Sequence, residues 1–184
     1  MRDIAERIVI AGFGGQGILL AGKLLAQTGM REGFEVTWLP SYGPEMRGGT
    51  ANCQVVISPN EIGAPVIEIP DVIIVFNRPS LEKFERVIKP DGLVLYDNSL
   101  IDTKPGRDDI RAYPVPATEL ADSLGNLKAA NMVMIGAYAV ASKTLTLKGV
   151  LNGIKEVIST RHEKMLDVNI AAIKKGAEVA EGFK

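Results

Sequence analysis

Gly12-Phe13-Gly14-Gly15-Gln16-Gly17 lies between the apolar run Ile8-Val9-Ile10-Ala11 and a longer apolar segment that opens at Ile18. The order reads strand, glycine turn, helix. Glycines admit positive φ and carry no Cβ, so such a turn can be tight and can be approached closely. The following helix would aim free N–H groups and a partial positive charge at whatever lies in front, which is the geometry of an anion site. Gly12, Gly14 and Gly17 also satisfy the dinucleotide pattern G-x-G-x-x-G in its required context. A dinucleotide site further expects an acidic residue about 20 positions on, at the end of the second strand. That strand, Glu35-Val36-Thr37-Trp38-Leu39, runs into Pro40-Ser41-Tyr42 with no Asp or Glu at its end and no Arg suited to a 2′-phosphate. Backbone packing and an interface are therefore the preferred use of the glycines. A stand-alone dinucleotide-binding protein is the alternative.

Working outward, the first strand covers residues 7–12, a continuous apolar run suited to burial on both faces of a parallel sheet. The spacing predicts a helix from Gly15 to about Arg31, apolar on most sides, with Lys23 and Gln27 marking a narrow polar stripe. Gly29 and Gly33 bracket its end. Residues 50–58 alternate as a strand with no room for a helix before it, so it is expected antiparallel and the sheet mixed. Further strands are expected at 72–76, 93–97 and 110–115, and helices at 81–88, 117–124, 129–143, 150–159 and along the final stretch. The expected fold is thus α/β: a three-layer, Rossmann-like domain with a mostly parallel, mixed sheet and a helical last third. It is expected as a single domain over residues 1–184.

A second loop, Ser41-Tyr42-Gly43-Pro44-Glu45-Met46-Arg47-Gly48-Gly49, follows a strand in the same sense as the first. Both loops then lie at the carboxyl edge of the sheet, where open α/β sheets place their ligand crevice. Tyr42, Glu45 and Arg47 make this loop a site candidate; a rigid turn with solvated charges is the plainer reading. Asn77 and Asp97-Asn98 also fall at strand ends, either facing the site or capping turns. The segment from Ala129 to Ser142 carries no charge. A helix apolar all round is buried on all sides, which in a chain this small suggests that a partner covers part of it.

Composition narrows the function classes. The chain has 21 Lys plus Arg against 22 Asp plus Glu and 5% aromatics, so it has neither the charge for nucleic acid or an anionic membrane nor the rings for base stacking. Cys53 and His162 are its only cysteine and histidine. Unaided, they can build neither an iron–sulfur cluster nor a zinc site. Cys53 is expected to pack as a small apolar residue, and His162 to be solvated among Arg161, Glu163 and Lys164. No internal disulfide can form, which fits a reducing cytoplasm; the mixed charges of residues 1–7 do not read as a signal peptide. No nucleophile elbow and no P-loop is present, and no carboxylate pair stands out. Binding loops without catalytic groups suggest a subunit that completes another chain's active site.

The two glycine loops together, followed by Thr50–Ser58 and by the Asn131–Ala141 segment, resemble the gamma subunit of 2-oxoacid:ferredoxin oxidoreductases over essentially the whole chain. The second loop is the more specific motif. The resemblance implies oxidative decarboxylation of a 2-oxoacid on thiamine diphosphate, transfer of the acyl group to coenzyme A, and electron flow through iron–sulfur clusters to ferredoxin. It implies that this chain binds no cofactor alone. Thiamine diphosphate, Mg and the clusters would sit on alpha, beta and ferredoxin-like delta subunits. The single cysteine and the lack of a G-D-G motif agree. No catalytic residue is assigned: the activating glutamate of such enzymes stands on another chain, so Glu45 is not given that role. The implied contact set, to partners, the reaction chamber or coenzyme A, is Gly12, Gly14, Gly15, Gln16, Gly17, Ser41, Tyr42, Gly43, Pro44, Glu45, Arg47, Gly48, Gly49 and Asn77. Arg47 is the foremost charged candidate for a phosphate or carboxylate, unless it only pairs with Glu45 or the partner backbone to hold the loop. Enzymes of this kind act on pyruvate, 2-oxoglutarate, branched-chain or aryl 2-oxoacids; the size and stand-alone form of the chain favour 2-oxoglutarate.

Overall fold

A computed structural model describes residues 5–42, 50–158 and 163–183. Strand β1 (Glu6–Phe13) leads through the glycine turn into helix α1 (Ile18–Arg31) and strand β2 (Glu35–Tyr42). Strands β3 (Thr50–Ser58) and β4 (Val72–Val75), helix α2 (Arg78–Phe84), and strands β5 (Leu93–Asp97) and β6 (Arg111–Val115) follow. The rest is helical: α3 (Ala117–Ser123), a 3-10 turn (Leu127–Ala129), α4 (Ala130–Ser142), α5 (Leu147–Val157) and α6 (Glu163–Ala180).

The six strands form one sheet in the order β2-β3-β1-β4-β5-β6. β1, β4, β5 and β6 are parallel, and β3 runs antiparallel between β1 and β2. The mixed sheet expected from the short β2–β3 link is present. Along β1, Ile8 and Ile10 enter one core while Val9 and Ala11 enter the other, as the period-2 side-chain alternation requires. The larger core lies under α1, α3, α4, α5 and α6. The smaller lies under α2 and the irregular segments, where Ile67 and Ile101 are buried anchors.

Helix α1 begins at Ile18, three residues later than its apolar pattern suggests. Gly15 and Gly17 have φ of 96° and 73°, left-handed values that belong to a turn and not to a helix. Its end follows expectation, with Gly33 at positive φ and the Phe34 amide bonded to the Gly29 carbonyl. Helix α2 opens at Arg78-Pro79-Ser80 as expected, with Asn77 as its cap and Pro79 in its first turn, but ends at Phe84, short of the expected Ile88. Thr146 likewise caps α5 ahead of the expected Val150.

The expectation that a partner covers part of the apolar α4 helix is not needed to explain its burial. Within this single chain Met132, Val133, Met134, Ile135, Ala137 and Tyr138 are all fully buried. Helix α6 supplies most of the cover, and small residues allow the close approach. A Cβ on Gly136 would stand 2.7 Å from the Ile173 carbonyl carbon, and one on Gly176 would stand 2.7 Å from that of Val133. At the far end of α4, Tyr138 and Ser142 donate to the buried Glu6 carboxylate at 2.5 and 2.6 Å. That ties α4 to the start of β1. None of the described helices is long and apolar enough to cross a membrane.

Candidate functional site at the carboxyl edge of the sheet

Gly12 ends the buried part of β1 and is itself buried; a Cβ there would press on Gln16, Ile18 and Phe76. Phe13, Gly14 and Gly15 are exposed, and Gln16 and Gly17 are half-buried. The turn is held by carboxamides. Gln16 accepts through Oε1 from the Phe13 amide at 2.6 Å and donates through Nε2 to the Phe76 carbonyl at 3.3 Å. Asn131, in the first turn of α4, donates through Nδ2 to the Gly17 carbonyl at 3.0 Å. That carbonyl also accepts from the Ala21 amide at 3.0 Å. Among the described residues no side chain caps α1 at its start, which leaves its first N–H groups without an intrahelical or side-chain acceptor there.

Two clefts flank the turn. One, of about 240 Å³, lies among Gly15, Gln16, Phe76, Leu100, Thr118 and Lys128. The other, of about 390 Å³, is walled by Leu20, Val157, Ile158 and Met165, with Gly15, Gly17, Lys128, Asn131 and Asn169 supplying its polar groups. Both sizes fall near the lower end of small-molecule sites. Lys128 is exposed and borders both clefts. With the positive end of α1 beside it, the region favours an anionic group.

Asn77 closes the same edge from β4. It is 4% exposed, and its Oδ1 accepts from the Ser80 amide at 2.8 Å as the N-cap of α2. Its Nδ2 is buried with no partner among the described residues. Asp97 is fully buried. It accepts from the Ala117, Thr118 and Ser99 amides and from the Thr118 hydroxyl at 2.5–3.3 Å, so it organises the β5 and β6 strand ends. Ser41 is exposed on β2, and Tyr42, Ala51 and Gly12 share one row across the sheet. The chain therefore leaves β2 at Tyr42, two strand spacings or roughly 10 Å from the end of β1, and re-enters the sheet at Thr50, which pairs directly with Phe13. Gly43, Pro44, Glu45, Met46, Arg47, Gly48 and Gly49 lie outside the described residues, as does His162.

The strand order also bears on the dinucleotide alternative. A ribose-holding residue at the end of the second strand works because that strand neighbours the first. Here β3 intervenes, and β2 ends in Ser41-Tyr42. Cys53 is fully buried behind α1, and its thiol hydrogen-bonds the Ile18 carbonyl at 3.4 Å. Burial pushes the thiol up to about 12, so it packs as a small apolar group. Among the described residues, no three His, Cys, Asp or Glu side chains gather to hold a metal.

Sequence pattern does not single out Lys128, Asn131 or Asn169. The available signals are a cation just ahead of a charge-free helix and an Asn in that helix's first turn.

A family model described as pyruvate ferredoxin/flavodoxin oxidoreductase matches residues 7–179. The ketoisovalerate oxidoreductase subunit VorA of Methanothermobacter marburgensis is 41% identical over 95% of this chain. The chain spans only 36% of that relative's length. The 2-oxoglutarate synthase subunit KorC of Methanothermobacter thermautotrophicus is 33% identical, with both chains covered in full. Among solved structures, a keto/oxoacid ferredoxin oxidoreductase gamma subunit from Geobacter sulfurreducens superposes with a TM-score of 0.86 at 24% identity. The match covers 98% of this chain and 99% of that one. A 2-oxoglutarate:ferredoxin oxidoreductase from Magnetococcus marinus, with 2-oxoglutarate, coenzyme A and succinyl-CoA bound, gives 0.89 at 26% identity. It covers all of this chain and 32% of that one.

Proposed function

The chain belongs to the pyruvate ferredoxin/flavodoxin oxidoreductase family, and from that premise we propose that it is the gamma subunit of a multi-subunit 2-oxoacid:ferredoxin oxidoreductase. The family match over nearly the whole chain carries this reading. The site agrees with it: a glycine turn at the carboxyl edge, two adjoining clefts, an anion-favouring helix start, and no assembled acid–base or nucleophilic set among the described residues.

The chain's part is to bind and position. The edge carrying Gly12, Gly14, Gly15, Gln16, Gly17, Ser41, Tyr42 and Asn77 would face the reaction chamber and the approach of coenzyme A. The loop with Gly43, Pro44, Glu45, Arg47, Gly48 and Gly49 would join it there, and Arg47 and Lys128 would supply cations for a phosphate or carboxylate. Thiamine diphosphate, Mg and iron–sulfur clusters would reside on alpha, beta and delta partners. The residues here do not fit a cluster, since the one cysteine is buried behind α1. The chain would act as one domain, in the cytoplasm.

The proposed acid is 2-oxoglutarate, supported by the end-to-end match to KorC. The higher identity to VorA supports a branched-chain 2-oxoacid as the second reading. Anaerobic affinity purification of the tagged chain, with a panel of acids in a coenzyme A-dependent dye-reduction assay, tests both. Co-eluting thiamine and iron–sulfur subunits, with highest turnover on 2-oxoglutarate, is the expected result. Preference for the branched-chain acid would select the second reading. A lone chain that binds NAD(P) or flavin at micromolar levels would overturn the proposal.

A further inference from the structure

The glycine turn accepts a hydrogen bond from a residue 114 positions away in sequence. Asn131 is 1% exposed and sits in a helix whose neighbours are otherwise apolar. Its Nδ2 reaches the Gly17 carbonyl, while its Oδ1 is buried with no hydrogen-bond partner among the described residues. An unpaired buried acceptor costs the fold stability. A leucine there would avoid that cost, and the Gly17 carbonyl would still accept from Ala21. Folding alone therefore does not call for an amide at 131.

What the amide does is fix where Gly17 sits. Gly17 has a left-handed backbone and precedes α1 with no side-chain cap. A Cβ on Gly17 would stand 3.0 Å from Asn131 Cγ, with the amide nitrogen nearer still. The two residues are matched: a glycine that leaves room and an asparagine that fills it with a directed donor. Gln16 holds the other flank of the turn against Phe76. The exposed glycines between these anchors border both clefts through Gly15.

We propose that Asn131 is a positioning residue. It acts through Gly17 to hold the glycine turn, and so the N–H groups of the turn and of the start of α1, in the orientation that receives an anionic ligand. This rests on the functional reading above for the identity of the ligand, but not for the effect on the turn.

The test compares wild type with Asn131→Leu. In the full chain, 15N relaxation of the Gly14, Gly15 and Gly17 amides is expected to fall from order parameters of about 0.85 towards about 0.6. The thermal midpoint is expected to be unchanged or higher. In the purified complex, KM for coenzyme A is expected to rise about five- to tenfold, the worth of one well-placed hydrogen bond, with kcat within about twofold of wild type. Asn131→Asp keeps the shape and turns the donor into an acceptor facing the Gly17 carbonyl. It should give the same loosening, and it carries the test if the leucine variant does not fold. Unchanged order parameters, or a lowered midpoint with KM unaltered, would overturn the proposal and leave Asn131 a packing residue. A wild-type complex indifferent to coenzyme A would sink the functional reading instead, and the relaxation data would still decide the role of Asn131.

Discussion

Substituting Gly136 by Ala tests how the helical layer is held. Helix propensity alone favours the change by about 1 kcal/mol. Against it stands the α4–α6 crossing, where the new Cβ would lie 2.7 Å from the Ile173 carbonyl carbon and 3.0 Å from its Cα. The Ile173 carbonyl oxygen lies nearer still, and carbon atoms rest about 3.5–4.0 Å apart, so the helices must separate by at least about 1 Å. A gap of that size forfeits a quarter to a half of each contact's attraction across the crossing. The obstacle is backbone, which cannot rotate away as a side chain can. The cost should therefore fall at the upper end of the overpacking range, about 3 kcal/mol, for a net loss of about 2 kcal/mol. For a chain of this size that lowers the melting temperature by roughly 4–8 °C, read by circular dichroism. Gly176→Ala should behave alike. The double variant should cost less than the sum, because both push apart the same pair of helices. A melting temperature that rises by the few degrees propensity alone supplies would show that the α4–α6 crossing accommodates a Cβ, and strict additivity of the pair would show that the two sites do not share one crossing.

Gly17→Ala should lower stability by about 2 kcal/mol, combining left-handed strain with the encounter with Asn131; Gly15→Ala, with open space around its Cβ, should cost about 1 kcal/mol. Urea unfolding of the two variants distinguishes them, and equal losses would discount the Asn131 contact. Asp97→Ala should cost about 3 kcal/mol by stranding buried amides at the start of α3, and Asp97→Asn less, since one acceptor remains; equal midpoints for the two would contradict this. Cys53 should resist a thiol reagent at pH 8 in the native chain and react fully once unfolded. Its folded pKa of about 12 lies above the unfolded value. The unfolded state thus loses its proton first, and the stability linked to this group falls as pH rises from about 9 to 12. Cys53→Ala should remove that part of the pH dependence.

Much of this protein is legible in local sequence pattern. The run Ile8–Ala11, the glycines after it and the apolar segment beyond them specify a strand, a turn and a helix, because backbone sterics and side-chain periodicity act over a few residues. The link ahead of Thr50, too short for a helix, implies an antiparallel strand and a mixed sheet. The two glycine loops mark the carboxyl edge, and a lone cysteine cannot make a cluster. Other features depend on what meets across the fold. A strand's alternation does not name its neighbour, so the insertion of β3 between β1 and β2 is hidden in the sequence. So is the pairing of Thr50, where the chain re-enters the sheet, with Phe13 at the first turn. The charge-free α4 points to burial but not to what buries it. Gly136 and Gly176 let α6 do so from within the chain, because backbones can approach only where no Cβ intervenes. Asn131 reads as part of an apolar helix, and its role emerges only where that helix lies beside Gly17. A hydrogen bond between residues 114 positions apart exists only when both ends have been placed by everything between them.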